Sequence, residues 1–175
     1  LMATSRYHQV VDRVVDALRQ VEGAYSAVAL CDGMLIGVRD PLGVRPLIIG
    51  EIDGATILTS ESCALDIIGA TFVRDVEPGE LVIVDKTGIN SIRPFPAGRS
   101  RFCGFECVYF ARPDSVVEGR SVYAARKRIG VELAIESPVD ADVVIPVPDS
   151  GVPAAMGYAD QSGIPFELGI IRNHY

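Results

Sequence analysis

Val147-Pro148-Asp149-Ser150-Gly151 is the stretch of this 175-residue sequence best suited to chemistry. An apolar run over residues 142–147 ends there, the chain turns, and a small-residue helix opens at Gly151-Val152-Pro153. In open α/β sheets, ligands bind beyond the carboxyl ends of the strands, and helix N-termini turn free N–H groups toward phosphate. Asp149 and Ser150 add hard oxygens of the kind Mg²⁺ takes. Ser150 can equally act as a helix N-cap with no ligand. A serine-hydrolase reading fails, because no G-x-S-x-G turn surrounds Ser150 and no acid–histidine pair follows it.

The other reactive side chains offer less. Cys103 and Cys107 stand at C-x₃-C spacing, and two thiols alone cannot hold an iron–sulfur cluster that takes four. Cys31 and Cys63 sit in apolar surroundings and read as core thiols. His8 and His174 form no Ser/His/Asp or Cys/His constellation. Arg172 follows an apolar stretch and reads either as a phosphate contact or as a surface arginine. Arg112 and Asp114, in Arg112-Pro113-Asp114-Ser115, either position a loop or tie an ordinary turn. In Arg39-Asp40-Pro41-Leu42-Gly43-Val44-Arg45-Pro46, Pro41 presets a turn and Pro46 extends Arg45. Its arginines could brace an active-site wall, or Asp40 and an arginine could simply hold the turn.

These residues need elements to place them. Arg6–Val21 carries an apolar stripe at helical spacing, with Ser5 as a candidate cap and Gly23 as a stop. Strands follow at Ala24–Cys31, Met34–Val38, Pro46–Gly50 and Ala55–Thr59, with Asp32-Gly33 and Asp53-Gly54 as hairpin turns. Their short connections predict an antiparallel meander. A short helix over Glu61–Ile68 and a hairpin of Glu80–Asp85 with Ile89–Arg93 complete an α+β first part. Arg93–Arg101 is rich in Pro, Gly, Arg and Ser and reads as a linker. Beyond it a helix at Ser121–Glu136, a buried parallel strand at Asp142–Val147, a helix at Gly151–Ser162 and a strand at Phe166–Ile171 give an α/β pattern. The expected division is residues 1–98 and 99–175.

Composition excludes several classes of function. With 49% hydrophobic residues the chain is not disordered. A net charge of −7 argues against nucleic acid and anionic membrane surfaces as partners. No run approaches the length of a membrane span, and no apolar signal region follows the first residues. Four cysteines in apolar contexts do not make a secreted disulfide scaffold, which points to a reducing, cytoplasmic setting.

The strings Arg39-Asp40-Pro41-Leu42-Gly43-Val44-Arg45-Pro46-Leu47, Tyr109-Phe110-Ala111-Arg112-Pro113-Asp114-Ser115 and Val147-Pro148-Asp149-Ser150-Gly151, in that order, resemble the glutamine phosphoribosylpyrophosphate amidotransferases. The likeness runs from Asp16-Ala17-Leu18-Arg19-Gln20-Val21-Glu22-Gly23 to Tyr175, and the chain looks like a central fragment of such an enzyme. The resemblance implies the second half of an N-terminal-nucleophile glutaminase sandwich over 1–98. It implies a linker and the start of a phosphoribosyltransferase domain over 99–175. The implied enzyme works in purine biosynthesis, converting glutamine, phosphoribosylpyrophosphate and water to 5-phosphoribosylamine, glutamate and pyrophosphate. Its nucleophile would be an N-terminal cysteine whose own amino group acts as base; this chain begins Leu1-Met2, so the fragment alone is expected to be inactive.

The resemblance further implies Asp149, Ser150, Gly151 and Arg172 as substrate- and phosphate-binding residues, with Ser150 at a Mg²⁺ site. Cys103 matches a ligand of a 4Fe-4S cluster carried by some members, while Cys107 stands where an aromatic is usual. His174 replaces a commoner arginine. A homo-oligomer is expected. The alternative is a non-catalytic structural or oligomer-interface fragment.

Overall fold

A computed structural model describes residues 1–96 and 98–173; His174 lies outside them. The chain divides into two compact units, Leu1–Cys103 and Gly104–Tyr175.

The first unit begins with a short 3-10 turn and helix α1, Val10–Leu18. The helix is shorter than its apolar stripe, and Gln9 rather than Ser5 takes the N-cap position, without a side-chain bond. Strands β1, Ser26–Cys31, and β2, Met34–Arg39, form one hairpin. Strands β3, Ile48–Ile52, and β4, Ala55–Thr59, form another. Both turns are Asp-Gly pairs with positive φ at each residue, 48° and 75° at Asp32-Gly33 and 50° and 79° at Asp53-Gly54. That is the geometry which fits the twist of a two-residue hairpin.

The expected meander is not what forms, because the two hairpins lie in different sheets. One sheet runs β1-β2-β6-β7, with β6 at Leu81–Asp85 and β7 at Gly88–Ile92; the other runs β4-β3-β5, with β5 at Thr71–Asp75. The sequence reading missed β5, whose residues are half-buried or exposed at a sheet edge. Residues 40–47 carry the chain from the first sheet to the second.

Alternation along β2 explains the layers. Ile36 and Val38 pack with Leu81 against Val14 and Val15 of α1. Between them Gly37 faces the other way, where an added Cβ would lie 2.6 Å from Leu58 of β4. Leu47, Ile49, Val76 and Val82 fill the space between the sheets. On β3, Gly50 turns outward against Leu65 of helix α2, Ser62–Ile68. Successive residues of a strand point to opposite faces, so the order is helix, sheet, sheet, helix.

Arg39 and Asp40 fix the crossing between sheets. The buried Arg39 guanidinium donates to the carbonyls of Arg45, Val76 and Gly43 at 2.8–2.9 Å. The Asp40 carboxylate accepts from the N–H groups of Leu42 and Val44 at 2.9 Å and of Arg45 at 3.4 Å. Gly43 takes a φ of 59°, as this turn requires. The backbone N–H groups of Arg101 and Cys103 bond to the carbonyls of Leu42 and Val44, so the end of the Pro/Gly-rich stretch lies along this loop.

The second unit is built on helix α3, Val122–Glu136, and helix α4, Val152–Ser162. Ser121 caps α3 by accepting from the Ala124 N–H at 3.3 Å, the arrangement expected of a serine at this position. Gly163 ends α4 with a left-handed φ of 75°. The helices cross at Gly130 and Gly157, where an added Cβ would fall on the backbone carbonyl of Ala154 or of Lys127. A 2.7 Å ion pair between Lys127 and Asp160 and a Tyr158 hydroxyl bond to the Ser137 carbonyl reinforce the crossing. Ahead of α3 lie a π-helical turn, Glu106–Phe110, and a two-residue hairpin of β8, Val116–Val117, with β9, Arg120–Ser121.

The strands expected over Asp142–Val147 and Phe166–Ile171 are reduced to one parallel bridge between Val144 and Phe166. The Val144 N–H donates to Pro165 and the Glu167 N–H to Val144. A parallel strand bonds only to its neighbours, and among the described residues these two segments meet at a single pair.

Candidate functional site

In the second unit, two of the sequence's motifs face a common cleft of about 700 Å³. Residues 109–113, the end of the π-helical turn and the loop after it, form one wall. Residues 148–150, between the Val144 bridge and α4, form another, and Arg126 and Arg172 complete the lining. Three guanidinium groups (Arg112, Arg126 and Arg172) thus border the cleft against one carboxylate, Asp149. In a chain of net charge −7 this is a local reversal of sign.

Asp149 and Arg172, 23 residues apart, are brought together: the Arg172 guanidinium donates to the Asp149 carboxylate at 2.9 Å. Both are well exposed, at 64% and 62%, so water screens the pair and a competing anion or cation can reach either partner. Arg112 makes a two-pronged contact with Asp114 at 3.0 and 2.8 Å. That bonding holds the Asp114 carboxyl below the ordinary aspartate range.

Gly151, not Ser150, occupies the N-cap of α4, and no side chain caps the helix. Ser150 lines the cleft instead. The Gly151 N–H bonds to the Val147 carbonyl at 3.2 Å and the Val152 N–H to Asp149 at 3.3 Å, closing a tight turn. A Cβ on Gly151 would come within 2.6 Å of the Val147 carbonyl oxygen. Glycine is therefore needed here for close approach, while its φ of −77° is ordinary. The Pro148–Asp149 peptide bond is cis.

The donor chemistry at this turn suits Mg²⁺ in part. Asp149 and Ser150 offer hard oxygens, and Mg²⁺ commonly takes one or two carboxylates with phosphate and water supplying the rest. No group of three or more His, Cys, Asp or Glu side chains capable of holding a metal occurs among the described residues. Cys103 and Cys107 are free thiols, the former ending the first unit and the latter lying in the π-helical turn of the second. Cys103 and Cys107 by themselves supply two of the four thiolates that an iron–sulfur cluster commonly takes. Cys63 in α2 is buried, as expected of a core thiol, whereas Cys31 at the end of β1 is only half-buried.

Arg126 was missed in the sequence, where it reads as part of the polar side of α3. The buried residues of that helix are Val122, Arg126, Gly130 and Ala134. They stand four apart, on one helical face. An arginine in register with a buried stripe was the available signal.

A mixed α/β chain with an arginine-lined cleft at a turn before a helix is the class these observations define. Over its whole length the chain is homologous to the amidophosphoribosyltransferases, of which it spans about a third. The amidophosphoribosyltransferase of Rhizobium etli is 58% identical over 100% of this chain and 36% of its own length. The chloroplastic enzyme of Glycine max is 53% identical over 100% of the chain and 31% of its own length. The solved structure of glutamine phosphoribosylpyrophosphate amidotransferase from B. subtilis, complexed with ADP and GMP, matches with a TM-score of 0.95 at 43% identity, covering 100% of this chain and 38% of that one. No protein-family profile matches. No helix among the described residues is long and apolar enough to cross a membrane.

Proposed function

We propose that this chain is part of an enzyme that makes 5-phosphoribosylamine from phosphoribosylpyrophosphate and glutamine, in the first step of purine synthesis. The observation that carries this reading is the cleft, where two motif loops and three arginines meet in an otherwise acidic chain. Residues 1–98 are the C-terminal half of a glutaminase sandwich, a reading supported by their helix–sheet–sheet–helix layering. Residues 99–175 are the linker and the start of a phosphoribosyltransferase domain.

In this reading, Arg172 and the turn at Asp149-Ser150-Gly151 take the pyrophosphate end of the substrate. Asp149 and Ser150 would hold Mg²⁺, which would supply neutralisation of phosphate charge there. Gly151 serves by letting the turn close. Glutamine hydrolysis needs a thiolate beside a free amino group, and in this reading Cys31 within β1 and the buried Cys63 are scaffold rather than nucleophile.

The alternative, a non-catalytic interface fragment, draws on the exposed Val147, Leu168 and Ile171 of the second unit, 70%, 65% and 85% accessible. A titration separates the two. Backbone amide shifts of the chain are followed as Mg²⁺ and phosphoribosylpyrophosphate are added. Saturable shifts at Ser150, Gly151, Arg112 and Arg172 are expected. Concentration-dependent broadening over residues 139–147 and 168–171, with no ligand response, would favour the interface.

A further inference from the structure

We propose that Arg126 is a positioning residue for the phosphate cleft, holding the wall that carries Arg112. The inference rests on the cleft being a phosphate site. Arg126 is 3% exposed, although it projects from the second turn of a helix with solvent on its other side. Its Nε donates to the Cys107 carbonyl and its Nη2 to the Ala111 carbonyl, both at 2.7 Å. One carbonyl lies in the π-helical turn, Glu106–Phe110, and the other just after it; the Val108 N–H bonds back to Gly104 at the start of the turn, and the Ala111 N–H bonds to Glu106 at its end.

A turn this short does not hold itself, since few of its backbone groups find partners within it. The planar guanidinium fork supplies two fixed donors at a set spacing, and ties residues 107 and 111 to α3. The chain leaves that fork directly into Arg112 and Pro113 on the cleft wall. Through α3, which crosses α4 at Gly130 and Gly157, the same fork sets this wall against the 148–150 turn at the head of α4.

Charge supports the geometry. Both hydrogen bonds of Arg126 among the described residues go to neutral carbonyls. A buried guanidinium is costly unless its N–H groups find acceptors, and these two carbonyls supply them. Lysine would keep the charge but lose the fork. Glutamine would lose both the charge and most of the bonding.

The test measures the affinity of the 175-residue chain for inorganic pyrophosphate with Mg²⁺, by ³¹P line width at low temperature, for wild type, Arg126→Lys and Arg126→Gln. Urea unfolding of each variant gives stability separately. Because two charge-assisted hydrogen bonds are removed, Arg126→Gln should weaken binding about tenfold or more. Arg126→Lys should fall between it and wild type, and both variants should show faster amide exchange at Val108 and Ala111. Wild-type affinity in Arg126→Lys with unchanged exchange would overturn the positioning role and leave the cleft reading intact. If wild type itself does not bind pyrophosphate, the cleft reading fails and this inference fails with it. Should Arg126→Gln not fold, the lysine variant decides.

Discussion

Replacing Gly130 by alanine tests whether the α3–α4 crossing is set by backbone contact. An ideal Cβ at Gly130 overlaps the Ala154 carbonyl oxygen, and lies 2.7 Å from the Ala154 carbonyl carbon and 2.9 Å from the Tyr158 nitrogen. All three are backbone atoms of α4, so no side-chain rotation relieves the clash and the helices must separate. Overpacking that forces backbone shifts costs about 1–3 kcal/mol, and a clash with main chain belongs at the upper end. Alanine returns about 1 kcal/mol in helix propensity. The net expectation is a loss of about 2 kcal/mol, roughly a thirtyfold change in the folding equilibrium of the second unit. Urea unfolding followed by far-ultraviolet circular dichroism reports it, since α3 and α4 are the longest helices.

Gly104→Ala is the control, as nothing lies within 4 Å of its added Cβ. Gly157→Ala should behave like Gly130→Ala. The double variant should lose less than the sum, because one separation relieves both clashes. A neutral or stabilised Gly130→Ala would show that propensity wins and that the helices are not in backbone contact.

Two further outcomes concern the first unit. Asp40→Ala leaves the N–H groups of Leu42, Val44 and Arg45 without their acceptor and should destabilise this unit by about 3 kcal/mol in thermal or urea unfolding; Asp40→Asn should recover part of that loss. Burial pushes the Glu80 carboxyl up, but bonding from Arg74, Glu77 and Ser91 outweighs it and holds Glu80 below the ordinary glutamate range. A lowered folded value means the unfolded state takes up a proton first. The stabilisation is thus complete above the ordinary glutamate value and is lost as pH falls through the lower, folded one. A pH series of unfolding midpoints for wild type and Glu80→Gln should diverge at neutral pH and converge in acid.

Local signals carried much of the fold. Asp32-Gly33 and Asp53-Gly54 marked hairpins because turn chemistry is written in the two residues that adopt it. The assignment of those hairpins to different sheets was not legible, since it depends on Arg39 reaching the carbonyl of Val76, 37 residues away. Likewise, continuous apolar character at 142–147 suggested a strand, but pairing depends on neighbours rather than on the segment itself, and only Val144 pairs.

At the cleft, Asp149, Ser150 and Arg172 could be named from a motif and a resemblance. That Arg172 donates to Asp149, and that Gly151 rather than Ser150 takes the N-cap, are products of tertiary geometry. Arg126 was written in the sequence as a four-residue repeat of buried positions on α3, and was obscured there by the neighbouring Lys127 and Arg128.

The most direct test of the central claim is a graft. Residues 1–175 replace the homologous stretch of the Rhizobium etli amidophosphoribosyltransferase, which is 58% identical to them. Pyrophosphate release dependent on glutamine and phosphoribosylpyrophosphate is then measured for the graft and its Asp149→Ala variant. The account predicts that the graft is active and that the variant has a raised KM for phosphoribosylpyrophosphate. A folded graft that releases no pyrophosphate, or a variant indistinguishable from it, would contradict the assignment of the cleft.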